Sequence, residues 1–420
     1  MTTNRTFIPP IDNSPVGGIV QAILPMVFKH VLTGMQVKVS REDLNRLKSL
    51  EGQRVLLLPN HPSYEDPYVM FDLARQLDTR FNYVAAREVF DYSNGLQGWV
   101  FQHCGVYSII RGKSDRESFK TTREKLAKGE RPLVIFIEGE VSYENDTLIP
   151  FEAGVIQLAF WGLEDAYKQA KKESAEAALP PLNIVPVAMK YFYHAGWEKA
   201  ADEALRCLEE ALGLPVDHAG SHYKRIRTMG DKILSVHEES LGIKPGEGCS
   251  FDERITRVKH LLLRKMEAFL QISADENQFA LDRVRVIRNR LDELAHTYED
   301  DSELSPYEHT MIEHLRRTFQ EFYSDLARVV QFLIYREGYL SEEAGAERTI
   351  EFIRRLEKEV FGKERIRHPR TAVVQLGEVI NLKDRYPAYQ ENKKQTTVTI
   401  AGEVENSIRA LLARDCKPLE

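Results

Sequence analysis

The sequence predicts an α/β fold, in which a mainly parallel sheet is covered by helices and carries an inserted all-α domain. Short aliphatic runs alternate with helix-period segments over residues 35–192, as is typical of parallel strands joined by helices. Over 197–361, apolar residues instead recur at helical spacing, with few strand-like runs. Another strand-like run follows at 373–380. We therefore expect one helical region between two parts of a single sheet.

The elements of the first part follow in order from these patterns. Strands are predicted at 35–39, 54–58, 81–86, 133–137 and 182–192. Helices are predicted at 41–50, 67–77, 118–128 and 154–178, the third closed by Gly129 and the fourth by Leu179-Pro180-Pro181. Toward the end of the chain we expect a strand within 373–380 and an amphipathic helix over 404–412.

Length and composition agree with more than one folded unit. The chain has 420 residues, more than one hydrophobic core usually serves. Its 43% hydrophobic and 29% charged residues are ordinary for a globular protein, and its net charge of −7 argues against nucleic acid as the main partner. We predict residues 1–195 as the first part of an α/β domain, 196–368 as a helical insertion, and 369–420 as the completing strand and C-terminal helix.

Cysteine usage and hydropathy bear on the compartment. Four cysteines lie far apart without a CxxC pair, which indicates neither a disulfide framework nor a zinc site. We find neither the pattern of a signal peptide nor an apolar run of roughly 18 to 20 residues that could span a bilayer. A cytoplasmic location is therefore predicted.

Residues 19–32 are the segment closest to a membrane helix. This apolar run is interrupted by Gln21, Pro25, Lys29 and His30. A helix of this kind either covers the sheet or lies in the membrane interface with its apolar side in lipid. Both interpretations stay open on the sequence alone.

The predicted strand at 54–58 runs into a turn that contains His61 and, five positions later, Asp66. Strand ends commonly hold reactive side chains. A neutral imidazole can take a proton from a hydroxyl near pH 7, and a carboxylate on its other nitrogen fixes the tautomer and steadies the imidazolium. His61 and Asp66 are therefore predicted to form a catalytic dyad.

Three further segments have a recognisable order. Residues 105–111 comprise a glycine, an apolar strand and then Arg111, whose planar donors suit a phosphate. Phe136-Ile137-Glu138-Gly139 ends the next strand, and Ile184-Val185-Pro186-Val187 lies within the long strand after it. Together with the His61 block, these segments resemble the four motifs of the glycerolipid acyltransferase family, which includes the 1-acylglycerol-3-phosphate acyltransferases. The resemblance covers about half of the chain.

The resemblance implies an O-acyltransferase active in phospholipid biosynthesis. His61 would be the general base and Asp66 its orienter, while Arg111, Glu138 and Gly139 would bind the substrate. The acyl donor would be a thioester, either acyl-CoA or acyl carrier protein, and the acceptor a lysophospholipid or a similar molecule. No cofactor or metal is expected, and the enzyme would be peripheral on the membrane. The oligomeric state is not predicted.

Two features fall outside the family pattern. Where the family commonly has Glu-Gly-Thr-Arg, this chain has Glu138-Gly139-Glu140-Val141, so an arginine that would help to hold a phosphate is absent. The helical region adds a second possibility, a non-catalytic lipid-binding platform whose insertion recruits partners. We see no internal repeat in it, and four arginines between 283 and 290 are interpreted as a salt-bridged surface.

Overall fold

The computed structural model describes residues 7–110, 115–151, 153–244, 249–273, 278–297, 305–334 and 339–414. The chain forms two compact units. The helical unit comprises Ala195–His368, and the α/β unit comprises Arg5–His194 together with Pro369–Glu420.

The α/β unit is built on a sheet that has eight strands within the described residues. The strands are β1 (Gln36–Val39), β2 (Arg54–Pro59), β3 (Asn82–Ala86), β4 (Val106–Ile109), β5 (Leu133–Val134), β6 (Leu182–Tyr193), β7 (Arg370–Leu376) and β8 (Ile380–Asn381). Their order is β1-β7-β6-β2-β5-β3-β4, with β8 also paired to β6.

Most of the strand pairs are parallel. Strands β2 to β6 run in one direction, β7 is antiparallel to β6, and β1 is parallel to β7. Tyr191 of β6 lies opposite Ala372 of β7, so the strands that flank the long helical region are neighbours, as predicted. With its covering helices, this sheet confirms the predicted α/β fold class.

Helices of the α/β unit cover both faces of its sheet. The helices of the described residues are α1 (Pro15–His30), α2 (Arg41–Lys48), α3 (Asp66–Gln76), α4 (Leu96–His103), α5 (Arg116–Lys128), α6 (Ala153–Glu173), α7 (Trp197–Ala211), α8 (His222–Ser240), α9 (Phe251–Phe269), α10 (Ala280–Thr297), α11 (Pro306–Ile334), α12 (Ala346–Phe361), α13 (Leu382–Glu391) and α14 (Lys393–Leu412). Along β2, Val55 and Leu57 enter the core shared with α1 and α3, whereas Leu56 and Leu58 enter the core shared with α5, α6 and α14. The alternation follows from the two-residue period of a strand.

Two of the differences from the predictions have a local structural cause. Strand β5 ends at Val134 rather than at residue 137, because the next residues turn toward the His61 loop, where Phe136 stacks on the His61 ring. The last helix begins at Lys393 rather than at residue 404. The Asn392 side chain caps this helix by accepting a hydrogen bond from the backbone N–H of Gln395. The first turns of the helix are polar, so the pattern of apolar residues did not predict them.

The helical unit contains a repeat of 29 residues, so the expectation of no internal repeat was wrong. Buried Arg225, Arg254 and Arg283 follow one another at this interval, each near the start of a helix. Each pairs with a buried glutamate near the end of the preceding helix. The pairs are Arg225–Glu209 at 2.8 Å, Arg254–Glu238 at 2.8 Å and Arg283–Glu267 at 2.7 Å. Arg283 is thus a buried residue and not part of a surface.

The helix ends repeat in the same register. Gly213, Gly242 and Gln271 all have positive φ angles, of 66°, 71° and 54°. After each of them, a backbone N–H returns to the carbonyl of the repeat's glutamate; for example, Ile243 donates to Glu238 at 2.9 Å. This bond ends each helix in the same way, since it satisfies one of the last free carbonyls.

Candidate active site

Strand β2 delivers His61 through a short turn that is tied to the neighbouring strand. The amide side chain of Asn60 donates to the carbonyl of Met189 at 3.0 Å and accepts from the N–H of Met189 at 2.7 Å. It therefore pairs with β6 just beyond the last paired residue of β2. This contact orients the chain as it leaves the sheet.

His61 and Asp66 are in direct contact. Nδ1 of His61 lies 2.7 Å from Oδ2 of Asp66, and the same oxygen accepts from the backbone N–H of Ser63 at 2.8 Å. Asp66 is the first residue of α3 and is fully buried, whereas 16% of the His61 side chain is exposed. A carboxylate at Nδ1 favours the tautomer that carries its proton there, and this leaves Nε2 able to accept a proton.

The surroundings of Asp66 act on its charge in opposite directions. Burial raises the pKa of Asp66, while the hydrogen bonds from His61, Tyr191 and Ser63 lower it. The Tyr191 hydroxyl donates to Oδ1, the oxygen that His61 does not use. Both carboxylate oxygens of Asp66 therefore accept hydrogen bonds inside the protein.

The segment after β5 encloses His61. The Phe136 ring stacks on the His61 ring, with centroids 4.2 Å apart and an interplanar angle of 24°. The Glu138 carboxylate accepts from the N–H of His61 at 2.6 Å, and the N–H of Ser142 donates to the His61 carbonyl at 2.8 Å. The imidazole is thus fixed by its ring, its backbone and its Nδ1 contact.

Glu138 and Gly139 lie beside this histidine. Glu138 is fully buried, and its second oxygen accepts from the N–H of Ile149 at 2.7 Å. Burial raises the pKa of Glu138 to about 8, the backbone hydrogen bonds oppose this rise, and the nearby Asp66 charge adds to it. Gly139 has a φ of 71°, the left-handed conformation that glycine adopts without strain. In this arrangement the Glu138 carboxylate binds the protein backbone.

The structure brings together four of the five predicted site residues, namely His61, Asp66, Glu138 and Gly139. Arg111, the fifth, lies outside the described residues. Within the described part of the chain, no group of three or more His, Cys, Asp or Glu side chains could hold a metal ion.

Tyr191 and Arg370 also belong to this site, and the sequence did not predict them. Tyr191 lies on β6, and the Arg370 guanidinium, at the start of β7, stacks over its ring at 4.4 Å from the centroid. Arg370 also forms an ion pair with Glu65, the residue before Asp66. Only two signals pointed to these residues, the family-like motif that precedes Tyr191 and the strand pattern that follows Arg370.

The comparison with known proteins agrees with this architecture. Residues 36–190 match the family model described as Acyltransferase. No curated protein matches the chain. The matched range runs from β1 into β6 and includes both His61 and Asp66. Residues 36–190 are therefore similar to the acyltransferase family.

Proposed function

We propose that this acyltransferase moves a fatty acyl group from a thioester, acyl-CoA or acyl carrier protein, to the hydroxyl of a lysophospholipid or a similar acceptor. The observation that carries the proposal is the contact of 2.7 Å between His61 and the buried Asp66 at the end of a central strand. A base oriented in this way suits the deprotonation of a hydroxyl. The family match supports acyl transfer as the reaction class.

The proposed reaction needs no covalent acyl-enzyme. Nε2 of His61 takes the proton of the acceptor hydroxyl as its oxygen attacks the carbonyl carbon of the thioester. The tetrahedral intermediate then collapses, the C–S bond breaks, and the thiol leaves with the proton from the imidazolium. Asp66 stabilises the imidazolium in between. From the family resemblance, Arg111 and the backbone around Gly139 would position the acceptor and carry its charge.

The same proposal includes contact with a membrane surface. On α1, Ile19, Ile23 and Met26 are 60%, 44% and 63% exposed, and they lie on one face of the helix. Lys29 and His30 in its last turn are exposed too. Apolar side chains next to basic ones suit an interfacial helix. Among the described residues, no helix is long and apolar enough to cross a bilayer.

A vesicle assay tests this membrane contact. Met26→Asp should weaken sedimentation with anionic lysophospholipid-containing vesicles. Val236→Asp changes a similarly exposed apolar residue of the helical unit, at 47%, and should leave sedimentation unchanged. Equal binding by both variants and the wild type would show that α1 does not contribute to membrane binding.

Turnover by the purified protein tests the proposed reaction. With acyl-CoA or acyl carrier protein and a panel of lysophospholipids, we expect release of free thiol and formation of the diacyl product. His61→Ala should lower the rate by about 10² to 10⁴, the usual contribution of a positioned base, with thermal stability retained. Asp66→Asn should be nearly as severe, because the carboxylate charge is lost. His61→Ala activity within about threefold of wild type would contradict the mechanism.

The recruitment alternative makes the opposite prediction in the same assay. A non-catalytic lipid-binding platform would bind lysophospholipid vesicles without releasing free thiol from any acyl donor. His61→Ala would then leave every measured property unchanged. The hydrogen-bonded and buried state of Asp66 favours the catalytic alternative, because burying a carboxylate is costly unless it is paired.

A further inference from the structure

The Asp66 carboxylate has two oxygens, and only one of them faces the histidine. Oδ2 receives His61 and the Ser63 backbone, while Oδ1 receives the hydroxyl of Tyr191. Tyr191 is 3% exposed, so this hydroxyl is shielded from water. A buried hydrogen bond to a charged group is among the stronger ones in a protein.

Tyr191 is itself held from two sides. The Asn145 side chain accepts from the Tyr191 N–H and donates to its carbonyl, both at 2.6 Å, which fixes the backbone of the tyrosine. The Arg370 guanidinium covers its ring and forms an ion pair with Glu65. Three segments that are distant in the sequence thus converge on one phenol.

We propose that Tyr191 is a positioning residue that extends the dyad to a His61–Asp66–Tyr191 relay. This proposal rests on the general-base role of His61. The phenol fixes the rotation of the Asp66 carboxylate, so that Oδ2 stays directed at Nδ1. It also keeps the buried carboxylate ionised, and Arg370 and Glu65 hold the phenol in place.

The titratable and charged groups around Asp66 determine the expected pH effect. These are His61 from the turn, Glu138 from the segment after β5, Glu65 just before α3, and Arg370 on β7 behind the Tyr191 ring. The Tyr191 hydrogen bond lowers the pKa of Asp66. Without it the carboxylate becomes more basic, and the dyad holds its proton more tightly. The acid limb of the pH–rate profile should therefore move to higher pH.

Tyr191→Phe in the 420-residue chain tests the proposal. We expect kcat to fall about tenfold or more, since a hydrogen bond to a charged group corresponds to roughly one to two decades, while KM changes by less than about twofold. A double-mutant cycle with Asp66→Asn separates the roles. If Tyr191 acts through Asp66, Tyr191→Phe should lower kcat by less than about twofold in the Asp66→Asn background.

Tyr107→Phe is the matched control. Tyr107 is another fully buried strand tyrosine, and its hydroxyl bonds to Thr122 at 2.7 Å. This variant should lose a similar amount of thermal stability, with the pH–rate profile unchanged. Full activity of Tyr191→Phe, or the same loss in both backgrounds, would overturn the relay.

A measurement without substrate keeps the proposal separate from the proposed function. The proton between Nδ1 of His61 and Oδ2 of Asp66 should give a downfield NMR signal. Its chemical shift should change in Tyr191→Phe and stay constant in Tyr107→Phe. If that change appears but the wild type turns no acyl donor over, the relay stands and the proposed reaction fails. An unchanged signal in Tyr191→Phe would refute the relay even in an active enzyme.

Discussion

Glu138 combines a buried carboxyl with two backbone donors, and this combination has a consequence for stability. In the unfolded chain its carboxyl titrates near 4.5, whereas in the folded protein burial raises its pKa to about 8. Between these values the folded state binds a proton that the unfolded state has released. The free energy of unfolding should therefore fall as the pH rises through this window.

Glu138→Gln removes this titration. At about pH 5 the variant should be less stable than wild type, because one backbone N–H, of His61 or Ile149, then faces an amide NH₂. The gap in Tm should narrow toward about pH 8.5 as the wild type ionises and the variant does not. Glu51→Gln, at an exposed position, controls for buffer effects. A gap that stays constant with pH would contradict the burial argument.

Glu140 is the second residue of this segment with a predicted effect. It is half-buried, follows Gly139, and stands where the family commonly has a threonine before an arginine. A carboxylate about 5 Å from a phosphate at an effective dielectric near 20 would repel it by ~3 kcal/mol. If Glu140 faces the head group, the enzyme should prefer neutral or cationic acceptors over lysophosphatidate.

The test compares lysophosphatidate, lysophosphatidylcholine, lysophosphatidylglycerol and a neutral alcohol. Glu140→Thr should raise the relative rate with lysophosphatidate by up to roughly two decades, and Glu140→Gln should do so in part. Arg111→Ala should weaken the binding of acceptors that carry a phosphate. A wild type that already prefers lysophosphatidate, together with no effect of Glu140→Thr, would exclude position 140 from acceptor choice.

At the residue scale, sequence distance decided what could be predicted. His61 and Asp66 are five residues apart in one turn, so their contact follows from local sequence. Tyr191 lies 125 residues beyond Asp66, and Arg370 follows the whole helical unit. Such contacts depend on the strand order, which no local pattern contains.

At the element scale, the helical repeat explains how the stacked helices keep their register. Apolar positions repeat together with the charge positions and helix ends, since Leu205, Leu234 and Leu263 follow one another at 29 residues. The sequence was compared only with the three- to four-residue spacing within single helices, which does not detect a period of 29 residues. Each buried arginine near the start of a helix must meet the glutamate of the helix before it, because an unpaired buried charge is costly. Each arginine–glutamate pair therefore fixes how two neighbouring helices are placed along each other, because a shift would leave both charges buried and unpaired.

Arg225→Met tests this interpretation at the first pair. It leaves the buried Glu209 without the arginine that donates at 2.8 Å and 3.0 Å, and should destabilise α7 and α8 by about 3–5 kcal/mol. Hydrogen exchange of their backbone amides in the full chain measures this loss. Adding Glu209→Leu should restore most of the protection, since an apolar pair needs no counter-charge.

The control is the exposed pair on the same helix. Arg206 contacts Glu210 at 2.9 Å, with side chains 45% and 54% exposed. Arg206→Met should change amide protection little, because water replaces the lost partner. Equal losses in Arg206→Met and Arg225→Met would show that the buried pairs have no special role in the repeat.

At the scale of the whole molecule, the sheet depends on strands from both sides of the helical unit. The similarity of residues 373–380 to a family strand sequence predicted that they complete the sheet, and β7 does so against β6. The position of β1 at the far edge, beside β7, was not predicted, because short edge strands pair by tertiary contacts rather than by pattern. We propose residues 196–368 as an inserted domain.

Excision of residues 197–368 tests this proposal. Tyr193 lies opposite Arg370 on antiparallel neighbours, and the N–H of His194 donates to the Pro369 carbonyl at 3.0 Å. Adjacent antiparallel strands need only a short hairpin connection. A Gly-Ser linker of a few residues should therefore yield a folded α/β unit that keeps the Tyr191–Asp66 hydrogen bond and part of the acyl-transfer activity. A variant that cuts within β7, removing residues 197–374, is the matched control and should not fold, because β1 loses its neighbouring strand and β6 loses its antiparallel neighbour. Equal folding of the two variants, or a crystal structure of the first with β6 and β7 in separate sheets, would refute the insertion.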